Sequence, residues 1–138
     1  MGRRTTDLWL RTVTSGTANA ARDTAQLYAP DGVLWGTLSE EVRDTPAEIF
    51  DYFDYFANKP HLRVSGYRPL IRVDGDVALN TGYYTFTWDD GSSGGTASKR
   101  ARYSFVYRRD PLAPTGWTII DHHSSAMPDA PAKLRHAD

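Results

Sequence analysis

The chain has 138 residues, 16 of them lysine or arginine against 17 aspartate or glutamate, and no cysteine. This length suits one domain that buries about two-thirds of its unfolded surface and needs no cross-link to do so. The missing cysteines exclude disulfides, thiol nucleophiles and thiolate metal sites and fit a cytoplasmic location, while the net charge of −1 gives no field that would draw the chain to nucleic acid or an anionic membrane.

The basic start Met1-Gly2-Arg3-Arg4 leads into no apolar core of the signal-peptide kind, and no long uncharged apolar run follows, so no membrane partner is expected. Asp7 to Thr14 reads as a short helix with Leu8, Trp9 and Val13 as its apolar stripe and Ser15-Gly16 as its stop. Thr17 then caps a second helix carrying Ala21, Ala25 and Leu27-Tyr28, which the turn signal Ala29-Pro30-Asp31-Gly32 ends. Val33-Leu34-Trp35 is too short for a helix and too apolar for a loop, and reads as a strand with Thr37 at its exit. The sharpest local signal is Thr45-Pro46-Ala47-Glu48, a threonine cap with proline at the first helical position and glutamate three residues after the cap. The third helix it opens puts Ile49, Tyr52, Phe53 and Phe56 on one face and stops near Asn58-Lys59-Pro60.

Strands make up the second half. His61 to Val73 and Val77 to Trp88 form a hairpin about Asp74-Gly75-Asp76, with Leu79, Thr81, Tyr83 and Thr85 on one side. After the turn Asp89 to Gly95, the residues Arg100, Arg102, Ser104, Val106 and Arg108 alternate with Ala101, Tyr103, Phe105 and Tyr107, and the aromatic side faces a core. The last strand, from Gly116-Trp117 to Pro128, concentrates chemistry: an apolar anchor runs into Asp121-His122-His123-Ser124-Ser125. Strict alternation puts Trp117, Ile119, Asp121, His123 and Ser125 on one side and Thr118, Ile120, His122 and Ser124 on the other. Helices first and an antiparallel sheet after them predict an α+β domain over 1–128, in which a curved sheet wraps three helices and leaves a cavity at one end, with 129–138 as a flexible tail. Read as ordinary structure, Thr37 caps a turn, Tyr52 packs in the core, and the histidines and serines satisfy a strand end.

The order of elements, the segment Leu27 to Gly32, the strand Ala101 to Tyr107 and the ending Gly116 to Pro128 resemble the nuclear transport factor 2-like (SnoaL-like, cystatin-like) superfamily over nearly the whole chain. The resemblance is closest to the branch near the calcium/calmodulin-dependent kinase II association domain. Within it, Thr37-Leu38-Ser39, Arg43-Asp44-Thr45-Pro46, Asp51-Tyr52-Phe53 and His122-His123-Ser124-Ser125 resemble the iota-class carbonic anhydrases. Gly36 stands where that class is expected to carry proline, a departure expected to loosen the turn that holds Thr37.

The resemblance implies a metal-free, reversible hydration of carbon dioxide to bicarbonate with Thr37, Tyr52, His123 and Ser125 as the catalytic set. Ser125 and Thr37 would position the water, His123 would lie on a proton route, and Tyr52 would donate to a substrate oxygen. Trp35, Ile49 and Phe53 would form the apolar wall, with Asp121, His122 and Ser124 also at the pocket. A slip of one residue in strand register would exchange His123 and Ser125 for His122 and Ser124; the former pair is taken because it shares a face with Trp117 and Ile119. Four histidines, His61, His122, His123 and His136, offer no obvious triad for zinc, though Asp121 with His123 could hold a weakly bound zinc or manganese. No cofactor is expected. A homodimer is expected, because the outer face of the sheet sets Ser104 and Val106 among arginines that lack partners. The alternatives of another class are a small-molecule-binding module and an oligomerisation domain.

Overall fold

The computed structural model describes residues 2–129, with side chains from Thr5 onward. Of the tail expected at 129–138, residues 130–138, His136 included, lie outside the described residues. Three helices, α1 (Gly2–Val13), α2 (Ala20–Ala25) and α3 (Pro46–Phe56), are combined with five strands, β1 (Tyr28–Trp35), β2 (Arg63–Asp74), β3 (Val77–Asp89), β4 (Thr96–Arg109) and β5 (Trp117–Ala126). The strands form one sheet in the order β1-β5-β4-β3-β2. All neighbours pair antiparallel except β1, which runs parallel to β5.

The local signals explain α3. Thr45 sits in extended backbone at the N-cap and accepts from the Glu48 N–H, proline occupies the first turn, and the Glu48 carboxylate accepts from Thr45 Oγ1 at 2.8 Å. The cap fixes the direction of α3, and its apolar face, Ile49, Tyr52, Phe53 and Phe56, is buried. On the other wall of the core β3 contributes Ala78, Asn80, Tyr84 and Phe86, and β4 contributes Ala101, Tyr103, Phe105 and Tyr107. Trp9 and Val13 of α1 fill the space between, with the Trp9 ring edge-on to Phe53, Phe86 and Phe105. The β4 alternation therefore falls as its aromatic pattern predicts.

Three segments depart from the expected layout. The second helix is shorter than expected: it follows Asn19 rather than Thr17 and ends at Ala25, so Leu27 lies beyond it and Tyr28 opens β1. Ala29-Pro30-Asp31-Gly32 is part of β1 rather than a turn: the pairing with β5 jumps from Tyr28↔Ile119 to Val33↔Asp121, which leaves those residues as a bulge. β1 is an edge strand, where a proline with no N–H to give costs no ladder bond. In β5 the register with β4 shifts between Val106↔Asp121 and Tyr107↔Ile119, so Ile120 is an extra residue. Such a bulge resets the in-and-out alternation of everything after it. Ile119 points into the core before the bulge, and His122 and Ser124, not His123 and Ser125, point inward after it.

Candidate functional site

A narrow cleft opens between the end of β1, α3 and the inner face of β3 and β5. Trp9, Phe56 and Phe86 make its apolar walls, and Thr37, Tyr52, Tyr84, His122 and Ser124 supply its polar atoms. It offers about 10 Å³ to the centre of a water molecule, roughly what a single water needs. Larger surface clefts lie beside Asp7 and Arg11, of about 550 Å³, and between α2 and the 110–118 segment, of about 500 Å³, the latter with Arg22, Gln26, Asp110 and Thr118 in its lining.

The polar atoms of the cleft belong to a buried relay of hydrogen bonds. Thr37 Oγ1 bonds Ser124 Oγ directly. Tyr84 donates to Ser124 Oγ at 2.9 Å, and its oxygen lies 3.2 Å from His122 Nε2. The other ring nitrogen of His122, Nδ1, lies 2.6 Å from Tyr28 Oη, which accepts from Trp9 Nε1 at 3.1 Å. The His122 ring also stacks on Phe105, with centroids 3.8 Å apart. Tyr52 stands across the cleft, its oxygen accepting the Leu38 N–H at 3.3 Å and its ring under the Arg43 guanidinium.

Burial sets the electrostatics. It depresses the His122 imidazole to about 3, assisted by the neighbouring His123, so the ring is a weak base and neutral near pH 7. Burial likewise pushes the Tyr52 phenol up to about 12, against the opposing Leu38 N–H and Arg43 charge. Tyr28 and Tyr84 are also raised by burial. The cleft is therefore a neutral, aromatic-walled site of hydroxyl groups, able to orient one water and to donate to an oxygen that gains charge.

Of the residues expected there, Thr37, Tyr52, His122 and Ser124 line the cleft. His123, Ser125 and Asp121 do not: the Ile120 bulge turns them to the outer face of the sheet. There His123 and Ser125 border a shallow depression with Thr81, Arg102 and Ser104, and Ser125 Oγ accepts from Arg102 Nε. Trp35 is 44% exposed on the same outer face and stacks on His123, so it forms no wall. Ile49 and Phe53 are buried in the adjoining core, and Trp9, Phe56 and Phe86 take the wall position instead. Gly36 packs against the Tyr52 ring, where a Cβ would come within 2.2 Å of Tyr52 Cζ. Proline could not sit there with Tyr52 in place, and glycine makes room for the phenol rather than loosening the turn. Tyr28 and Tyr84 were not foreseen; the signal in each case is a phenol on an apolar face, which needs a partner once buried.

The donors in the cleft do not fit a zinc ion. Both nitrogens of His122 face phenols, the remaining groups are hydroxyls, and among the described residues no three histidine or carboxylate side chains gather about one point. Among the described residues no helix is long and apolar enough to cross a membrane.

Residues 3–128 match the family profile of the calcium/calmodulin dependent protein kinase II association domain. A Xanthomonas campestris structure described as such a domain is 39% identical, with a TM-score of 0.75 over 90% of this chain and 84% of that one. A CaMKII hub from S. rosetta is 20% identical, with a TM-score of 0.71 over 90% and 92% of the two chains. A Streptomyces avermitilis protein of the NTF2-like family, described as a dehydratase, is 17% identical, with a TM-score of 0.73 over 91% and 93%. The last two likenesses show the fold alone. No curated protein matches the chain.

Proposed function

The chain belongs to the calcium/calmodulin dependent protein kinase II association domain family, with a nuclear transport factor 2-like fold, and from that premise we propose that it is a metal-independent carbonic anhydrase working in the Thr37–Ser124 cleft. The observation that carries this reading is a cleft with room for one water, closed by three aromatic walls and edged by the hydroxyls of Thr37, Ser124 and Tyr52. The smallest substrates suit so tight a site. A three-atom gas requires a modest yielding of Phe56 or Phe86, whereas a ring-sized ligand requires the wall to be rebuilt. The resemblance of Thr37, Tyr52 and the His122-His123-Ser124-Ser125 ending to the iota class supports the same reading.

The chemistry follows from neutral groups. The water oxygen bonds to the carbon of carbon dioxide, and one carbon–oxygen π bond opens onto its oxygen. A proton of the water passes to Thr37 Oγ1 while the Thr37 hydroxyl proton passes to that oxygen, so threonine ends as it began and the product is carbonic acid, which ionises to bicarbonate on reaching solvent. Tyr52, its phenol held protonated far above neutrality, donates to the oxygen that gains charge. His122 takes no proton in this scheme, being too weak a base.

The protein acts as a homodimer through the outer face of the sheet. Trp35 at 44%, Leu70 at 74% and Val77 at 36% exposure form its apolar part. The arginines do not all call for a second chain, since Arg108 pairs with Asp31 at 3.0 Å and Arg100 lies over the Tyr83 ring; the apolar residues carry the argument. Sedimentation checks it, and a monomer at every concentration rejects it.

Stopped-flow carbon dioxide hydration, run before and after dialysis against a strong chelator with metal content measured on the same sample, tests the enzyme reading. Activity is expected to persist. Activity that vanishes and returns with zinc or manganese overturns the metal-free mechanism, and no turnover by folded protein leaves a binding or oligomerisation module.

A further inference from the structure

Six side chains join end to end under α1: Trp9, Tyr28, His122, Tyr84, Ser124 and Thr37. An indole N–H can only donate, so Tyr28 Oη accepts at the Trp9 end. At the other end Tyr84 gives its one proton to Ser124 Oγ, so its oxygen can meet His122 Nε2 only by accepting. Nε2 therefore carries a hydrogen. The ring is buried between two phenols rather than beside a carboxylate, and a second hydrogen on Nδ1 would face a Tyr28 oxygen already taken by Trp9, stranding the phenol proton in the core. Nδ1 is therefore bare and accepts from Tyr28. Six polar hydrogens then serve five contacts, and the sixth stays with Thr37 and Ser124 at the cleft.

We propose that Tyr84 and Tyr28 are positioning residues for the hydration reaction: they clamp His122 in its Nε2–H form, so that every donor in the chain points toward Ser124 and one hydroxyl proton is left for the substrate. This inference rests on the hydration reading above. The opposite tautomer inverts the chain. Nδ1–H would donate to Tyr28, Tyr84 to Nε2, Ser124 to Tyr84 and Thr37 to Ser124, so the spare proton would sit on Tyr28 in the core and the cleft would lose its donor. A ring at the back of the cleft, two hydrogen bonds away from Ser124, thus decides whether Thr37 can pass a proton to the oxygen of carbon dioxide, without itself gaining or losing charge.

Nitrogen-15 spectra of the imidazoles in the intact protein, assigned with His122→Gln, read the tautomer directly. The expected pattern is a bare Nδ1 and a protonated Nε2. Tyr84→Phe keeps the ring and removes both the acceptor for Nε2–H and the donor to Ser124; it is expected to mix the tautomers and lower kcat by about tenfold or more with a smaller change in KM. Tyr28→Phe serves as the second variant and should also mix the tautomers, since it removes the donor to Nδ1. Wild-type His122 protonated on Nδ1, or folded Tyr84→Phe and Tyr28→Phe proteins with an unchanged tautomer and rate, overturns the clamp. The two readings fail separately: turnover with the wrong nitrogen pattern removes the clamp and leaves hydration, while the right pattern without turnover in the wild type removes hydration and with it the catalytic purpose of the clamp.

Discussion

Gly36 lies face to face with Tyr52, and a Cβ on Gly36 would stand 2.2 Å from Cζ and 2.7 Å from the phenol oxygen. The ring also packs edge-on against Phe53 and stacks on Phe56, so it cannot yield as the tip of a flexible chain would. Gly36→Ala is therefore expected to destabilise by about 1–3 kcal/mol, the usual range for overpacking, and to pull Tyr52 away from the cleft. A double-mutant cycle isolates the pair: in a Tyr52→Ala background the cost of Gly36→Ala should largely disappear. Equal costs in both backgrounds would show that the glycine answers to something other than Tyr52.

The buried imidazole makes stability depend on pH. Folding lowers His122 from its ordinary 6.5 to about 3, so between those values the unfolded chain binds the extra proton and the folded chain does not. Stability is then fully present above about pH 6.5 and is lost as pH falls toward 3, by on the order of 4 kcal/mol at the bottom of the window. Tyr28 and Tyr84 stay neutral throughout. Asp31, Glu48 and Asp90 are held below their ordinary values by Arg108, Thr45 and Ser92, and their contributions go only at the acid end. Denaturant unfolding at several values between pH 7.5 and 4.5 should show the fall in the wild type and a shallower slope in His122→Gln. Parallel slopes would mean that the ring is protonated in the folded protein.

What was legible in the sequence was local. Thr45, Pro46 and Glu48 are enough to start α3, because cap and first turn are settled within four residues. The β4 alternation of Ala101, Tyr103, Phe105 and Tyr107 is enough to choose its buried face. The site was half legible: Thr37 and Tyr52 fall where expected, but the inward histidine and serine depend on how β5 pairs with β4, a tertiary matter. The trace it left is Ile119-Ile120, two apolar residues in a row where strict alternation allows one, and that doublet is the bulge. Pro30 misled for a related reason, since a turn signal in isolation becomes a bulged edge strand once β5 lies on one side of it.

Tyr107 is fully buried, and its hydroxyl finds no hydrogen-bond partner among the described residues. Its neighbour Asn80 is already engaged: Nδ2 donates to Thr6 and Tyr67, and Oδ1 accepts from Tyr103. Leaving such a group dry costs about 1–3 kcal/mol. Tyr107→Phe, which keeps the stack on Phe105, is expected to raise stability by about 1 kcal/mol. Thermal unfolding decides it, and a lower midpoint would point to a partner that the hydroxyl does use.

The two serines of β5 give the sharpest test of which face works. Ser124 is buried, bonded to Thr37 and Tyr84, and lines the cleft. Ser125, its next neighbour, faces outward and touches Arg102. Ser124→Ala leaves a Tyr84 proton without an acceptor and removes one arm of the water site, so hydration is expected to fall by about tenfold or more with about 1–2 kcal/mol of stability lost. Ser125→Ala removes an exposed contact and should stay within about 0.5 kcal/mol of the wild type, with its rate unchanged. Thr37→Val should follow Ser124→Ala in rate, because it takes away the hydroxyl that shuttles the proton while nearly keeping the shape. The reverse ranking, a silent Ser124→Ala beside an inactive Ser125→Ala, would move the reaction to the outer depression among Arg102, Ser104 and His123 and leave the inner cleft as packing.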